Sequence, residues 1–267
     1  MDFTSFAHVR AGNSAVNFKA DAKDGRRYLV RFCPSANMPP AALHPLPGCS
    51  YVPAAFSGGR LSAADDWEVC AFEWRGSGES ADPASPGGED IAGILEGYLE
   101  FSDALARGVE NAGMELPAPG DLPPELLPAR PIHGDFHKGN FTVRGGRLES
   151  VFDLQKLRMG HPCEDILRIF LHEAERTRFW RYRSISALAR NLAEAARLSP
   201  WPRDAWSAAL GLARSRKAAR RALKRKPRIV LAAEAFLRSW MYRRFAAELQ
   251  GARPTAEGKS ETMKERP

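Results

Sequence analysis

The sequence predicts an α+β chain with a small, mainly β N-terminal part and a larger helical C-terminal part. Three observations predict it. Residues 1–80 hold short apolar runs with strand-like alternation, such as Tyr28-Leu29-Val30-Arg31, broken by turn residues. Residues 81–90 (ADPASPGGED) then form a Pro/Gly/Ser-rich stretch that reads as a lobe boundary. In residues 81–250, apolar residues recur at helical spacing, first over 91–112 and again from Glu164 onward.

In chain order, residues 9–18 and 19–32 read as strand segments with turns near Gly12 and at Asp24-Gly25. Between Phe32 and Trp67 there is no glutamate, and the stretch CPSANMPPAALHPLPGCSYVP is too rich in proline for a good helix. Residues 68–74 (EVCAFEW) form an apolar strand. Residues 91–112 put Ile91, Ile94, Leu95, Tyr98 and Leu105 on one helical face, which predicts core. The proline-rich residues 116–131 predict a rigid, extended connection. Two apolar runs, 141–143 and 148–152, flank Gly145-Gly146, and glycine's access to positive φ suits a tight hairpin there. Ile166, Ile169, Phe170 and Phe179-Trp180 continue a core stripe, and a further helix runs near 185–198. Ser199-Pro200-Trp201-Pro202 breaks it and begins another, 231–249 is amphipathic, and 251–267 reads as a disordered tail.

Composition narrows the function classes. No apolar run reaches the roughly eighteen residues of a membrane span. The opening MDFTSFAHVR lacks a basic region followed by an apolar one, so no secretory signal is expected. Cys33, Cys49, Cys70 and Cys163 are scattered, without zinc spacing or a disulfide framework, which predicts a reduced, cytoplasmic setting. Charge is uneven. Residues 1–163 carry 15 Lys/Arg against 21 Asp/Glu, a net of −6, whereas residues 164–267 carry 24 against 11, a net of +13. Nine of those basic residues fall in 214–228 (RSRKAARRALKRKPR), without an acid. If helical, Arg214, Lys217, Arg221, Lys224 and Arg228 align on one face, as a solvated stripe or as a contact for an anionic partner. Nucleic acid is not expected, because aromatic residues are not interleaved with the charges.

The densest chemistry lies in residues 132–165. Residues 132–140 (IHGDFHKGN) pack His133, Asp135, His137, Lys138 and Asn140 between apolar flanks, and the hairpin 141–153 ends in Asp153. The hairpin carries Asp153 back towards the loop. A carboxylate and an amide then lie together, good ligands for a hard cation such as Mg²⁺. Asp135 is spare and can orient or deprotonate a hydroxyl. A base, an asparagine and a second aspartate on a hairpin are the working parts of phosphoryl transfer.

These residues resemble the catalytic core of the aminoglycoside phosphotransferase and choline kinase family, a branch of the two-lobed protein-kinase-like fold. The pattern is His133-Gly134-Asp135, Asn140 five residues after the aspartate, and a strand ending in Asp153. Gly160-His161-Pro162 with Asp165 also looks like the family's Gly-Asp-Pro-x-x-Asp element, with histidine in place of its first aspartate. The resemblance implies ATP as phosphoryl donor, Asp135 as the residue that orients the acceptor hydroxyl, and Asn140 and Asp153 as the Mg²⁺ ligands. It implies nucleotide contacts from Arg31, from the loop 12–17 with Ser14, and from the hinge near Phe72 and Glu73. His137 or Lys138 would face the transferred phosphate, or both are exposed loop charges. His133 braces the loop. Asp165, in the first turn of the next helix, is structural, offsetting the helix dipole and bonding free amides. The glutamate that normally pairs with the strand Lys/Arg is missing from 32–67, so the partner of Arg31 is absent or supplied from elsewhere.

In this family the helices after the metal aspartate form much of the acceptor site. Here they are strongly basic, which argues against a polycationic aminoglycoside and for a small neutral or anionic sugar-like acceptor. Two other readings stand beside it. One is a kinase of an anionic glycolipid or lipopolysaccharide core sugar, peripheral at the inner membrane face. The other is a catalytically degenerate binding module that works through its basic helix.

Overall fold

The structure, a computed structural model, describes residues 2–9, 16–34, 55–60, 67–73, 88–118, 120, 122–176, 182–222 and 228–251. Five antiparallel strands make the N-terminal sheet: β1 (Phe3–Val9), β2 (Val16–Ala22), β3 (Arg27–Pro34), β4 (Ala55–Arg60) and β5 (Trp67–Glu73), in the order β1-β2-β3-β5-β4. The turn at Asp24-Gly25 is where the sequence predicts it, and Gly25 holds φ +81°. Strand limits differ from expectation. β1 starts at Phe3, and β2 runs unbroken through residues 18 and 19. The expected turn near Gly12, the helix-poor stretch 35–54 and the tail 252–267 lie outside the described residues. β4 was not expected, because AFSGGR has two glycines and little strand propensity; pairing with β5 overrides that.

Alternation along β3 decides what each face of the sheet does. Tyr28 and Val30 pack with Ala20, Ala22 and Ala71 into a small core. Arg31 and Cys33 therefore point to the opposite face. Arg31 lies across the sheet from Cys70 on β5. This side chain is buried in a largely apolar sheet and meets the C-terminal part of the chain.

The helical part is built on α1 (Gly88–Asn111), which begins inside the stretch expected to be linker. Its apolar stripe is buried as predicted, with Tyr98, Phe101 and Leu105 fully enclosed. The connection 116–131 holds a short 3₁₀ turn and ends in β6 (Arg130–Ile132). The hairpin follows as β7 (Phe141–Arg144) and β8 (Arg147–Val151), with Gly145 and Gly146 at φ +55° and +75°. Both central residues of the turn thus need positive φ, the type that matches strand twist. α1 packs on β8, and a side chain at Gly97 would overlap Leu148. β9 (Arg158–Gly160) pairs with β6, an unpredicted two-stranded ladder that ties both ends of the site region together.

Four helices complete the described residues: α2 (Pro162–Arg176), α3 (Tyr182–Leu198), α4 (Arg203–Ala222) and α5 (Arg228–Gly251). Trp206 is buried and its indole N–H donates to Ser199 Oγ at 3.0 Å, which seals the predicted break between α3 and α4. The predicted basic stripe is described only in part. Described α4 ends at Ala222, Arg228 opens α5, and residues 223–227 lie outside the described residues. Within described α4, Arg216 and Lys217 turn inward, to Glu164 and Glu175 at 2.6 Å each, because largely buried carboxylates on α2 need cations. Among the described residues no helix is long and apolar enough to cross a membrane. Cys33, Cys70 and Cys163 are buried.

Candidate active site

The loop after β6 is held from beneath by one buried carboxylate. Asp165 accepts from the His133 amide at 2.7 Å, the Gly134 amide at 2.8 Å and the Tyr98 hydroxyl at 2.9 Å. The sequence reading directs Asp165 to its own helix dipole. The amides it satisfies belong instead to a loop 31 and 32 residues earlier. Burial pushes its carboxyl above the usual range, against the pull of His133, Tyr98 and the two amides. Gly134 holds φ +79°, and any side chain there would overlap the Lys156 carbonyl. Phe136 is fully buried, stacked on Phe141 at 4.7 Å and edge-on to Tyr98 at 4.9 Å. It plugs the loop into α1, a role the sequence reading missed.

His133 is also buried. Its Nε2 lies 2.6 Å from the Phe152 carbonyl, and its Nδ1 accepts the Asp135 amide at 3.3 Å. This pattern fixes the proton on Nε2. The ring links the loop to the residue before Asp153. Asn140 makes a second link, accepting the Phe152 amide on its backbone carbonyl at 2.7 Å. Its Nδ2 donates to the Asp135 carbonyl at 2.9 Å, which leaves Oδ1 as the available ligand atom.

Contrary to the sequence expectation, Asp135 is not spare. Oδ2 accepts from Lys156 Nζ at 2.5 Å and Oδ1 from Arg168 Nε at 3.2 Å. Burial alone would raise its pKa. The Lys156 hydrogen bond and the charges of Lys156, Arg168 and His137 outweigh that and hold it at about 2. Neither cation is evident from the motif. The signal is periodic: Glu164, Arg168, Leu171 and Glu175 fall on one face of α2, the face that meets the loop.

His137 and Lys138 depart from expectation. His137 is half-buried, stacked on His172 with ring centroids 3.9 Å apart, and its Nδ1 accepts the Gly139 amide at 3.0 Å. Its Nε2 lies 3.7 Å from Asp135 Oδ2. Burial and the neighbouring His172 hold its pKa at about 4 despite Asp135, so it is neutral at pH 7 and no exposed charge. Lys138 turns to Glu173 on α2, at 2.6 Å. The cations beside Asp135 are Lys156 and Arg168.

The His137 shift has a measurable consequence. The unfolded chain takes up this proton near pH 6.5, the folded chain only near 4. Between those values the unfolded state carries more protons, so stability is lost as pH falls through the window. His161, also lowered by burial, adds to the slope. His137→Gln is expected to flatten the pH dependence of the urea midpoint between pH 6.5 and 4. An unchanged slope would place the titrating group elsewhere.

Asp153 closes the site on the sheet side. It holds φ 61° and ψ 57°, alone in the left-handed region among described non-glycine residues. Such a residue costs about 1–3 kcal/mol, and strain of this kind collects at functional positions. Its Oδ1 lies 3.4 Å from Arg31 Nη1, so Asp153 supplies the partner that the missing glutamate would have given. Arg31 Nε remains buried with no hydrogen-bond partner among the described residues. Phe72 and Glu73 end β5, beside the strand that carries Arg31, and Ser14 lies outside the described residues.

Comparison with known proteins joins this geometry to a family. Residues 88–206, from the start of α1 into α4, match the model of the phosphotransferase enzyme family. The match covers 119 of the chain's 267 residues, and over this stretch the chain is similar to that family. The resemblance read from the motif therefore stands for the part that holds the loop, the hairpin and α2. Solved structures share the fold. A candidate aminoglycoside phosphotransferase from Ralstonia eutropha JMP134 is 12% identical, with 93% of each chain covered and a TM-score of 0.59. The macrolide 2′-phosphotransferase from Brachybacterium faecium is 14% identical, covering 97% of this chain and 95% of its own, with a TM-score of 0.51. Identities this low speak for the fold alone: a protein-kinase-like fold with a small sheet lobe and a larger helical lobe. Curated proteins give no match to the sequence.

Proposed function

We propose that this chain moves the γ-phosphate of ATP to a hydroxyl of a small, neutral or anionic sugar-like acceptor. The observation that carries the reading is the grouping of Asp135, Asn140 and Asp153 around one braced loop, with Arg31 beside Asp153 and its Nε without a partner among the described residues. A buried guanidinium with a free N–H calls for an anion, and a phosphate oxygen meets that need. Asn140 Oδ1 and the Asp153 carboxylate are hard oxygen donors, few in number, as Mg²⁺ takes beside phosphates. When bound there, Mg²⁺ would neutralise charge on the phosphate oxygens.

In this reading Asp135 orients the acceptor. Held at about pKa 2 by Lys156 and Arg168, it accepts a hydrogen bond from the hydroxyl but is a weak base ahead of transfer. The acceptor oxygen bonds to the γ-phosphorus as the bond from that phosphorus to the bridging oxygen of ADP breaks. The hydroxyl proton leaves late, by way of Asp135 to solvent. Lys156 and Arg168 stabilise the charge that develops beside it. The readings through a basic membrane-facing helix or a degenerate binding module gain less support, since Arg216 and Lys217 are turned to Glu164 and Glu175.

Arg31→Ala tests the nucleotide half. Titration of the variant with ATP and Mg²⁺ is expected to show affinity about tenfold or more below that of the native chain. Equal affinity would remove Arg31 from the nucleotide site.

A further inference from the structure

Beside Asp135 lies a cleft of about 420 Å³ between the loop, α2, α4 and α5. That is room for a ligand of roughly monosaccharide to disaccharide size. Its charged lining has a regular plan. Each of three carboxylates is bridged by two cations. Asp135 lies between Lys156 and Arg168. Glu164 lies between Arg158 at 2.8 Å and Arg216 at 2.6 Å. Glu175 lies between Arg168 at 3.8 Å and Lys217 at 2.6 Å.

Among the described lining residues, five cations against three acids leave an excess of two positive charges. Exposure sharpens the point. The three carboxylate side chains are 13% exposed or less, whereas the five cations are 25–65% exposed. An occupant therefore meets the guanidinium and ammonium groups first, with the acids beneath them as the struts that hold them. A polycation would face five like charges with each nearby acid already paired. An oxyanion would offset the excess positive charge of these described residues.

We propose that this cleft is the acceptor subsite and that it selects a hydroxyl compound carrying an oxyanion, a phosphate monoester or a carboxylate. Arg216 and Lys217 on α4, with Arg168 on α2, bind the oxyanion, and the hydroxyl reaches Asp135 at the other end. The inference rests on the phosphotransferase reading above and adds the chemical class of its substrate.

The test uses the full chain with Mg²⁺ and a non-hydrolysable ATP analogue, so that the donor site is filled. Calorimetric titrations compare glucose 6-phosphate, gluconate and inorganic phosphate with glucose and kanamycin. The anionic probes are expected to bind roughly tenfold or more tightly than glucose, and kanamycin more weakly still. Arg216→Gln and Lys217→Gln should each weaken the anions about tenfold, with the analogue's affinity unchanged. Arg216→Lys and Lys217→Arg, which keep the charge, should retain most of the binding and so separate lost charge from lost fold. Glucose or kanamycin binding as well as the anions would overturn the proposal, as would anion binding that ignores both Gln variants. If the native chain binds no ATP analogue, the phosphotransferase reading fails instead; intact analogue binding without a preference for anions sinks the cleft proposal alone.

Discussion

Asp135→Asn is expected to lower kcat for phosphoryl transfer by about 10²–10⁴-fold, the range for loss of a positioned acid or base group. The variant keeps size and shape but loses the charge that Lys156 and Arg168 bracket. The acceptor hydroxyl then has an amide in place of a carboxylate to align it, and two cations face each other without a shared anion. Nucleotide affinity should change little, since the proposed nucleotide contact is the Arg31–Asp153 pair, of which Asp135 is not part. An ADP-release assay beside a nucleotide titration reads both quantities. A kcat within about tenfold of native would remove Asp135 from the reacting centre.

Asp165→Ala should be the most damaging substitution for stability, costing about 3–5 kcal/mol. It strips partners from the His133 and Gly134 amides and from the Tyr98 hydroxyl, all at a buried site. Each such orphan costs roughly 1–3 kcal/mol, moderated by whatever water enters. The loop carries the candidate site, so activity should fall together with the urea midpoint. Tyr98→Phe separates the two effects, because it removes one donor and leaves both amide bonds in place. It is expected to cost about 1–2 kcal/mol with activity largely kept. An Asp165→Ala protein as stable as native would mean that the loop is held by Phe136 and the hairpin instead.

The parts legible in the sequence are those whose physics is local. α1 follows from its apolar spacing, and the hairpin from two glycines that need positive φ. The loop motif is legible because Asp135, Asn140 and Asp153 sit within nineteen residues and their chemistry converges. What escapes is set by distant packing. Lys156 and Arg168 reach Asp135 from 21 and 33 residues away. Arg216 and Lys217 read as part of an exposed basic run until α4 packs on α2 and brings Glu164 and Glu175 to them, 52 and 42 residues off in sequence. A charge run shows its sign but not its burial. The replacement partner of Arg31 is hidden for the same reason, since Asp153 is 122 residues further along.

Calorimetric titration with ATP and Mg²⁺, native chain against Asp153→Asn, tests the central claim most directly. The account predicts micromolar binding that depends on Mg²⁺ and falls roughly tenfold or more in the variant, which loses both a metal ligand and the partner of Arg31. A native, folded chain that binds no nucleotide, or a variant that binds as well as native, would contradict it.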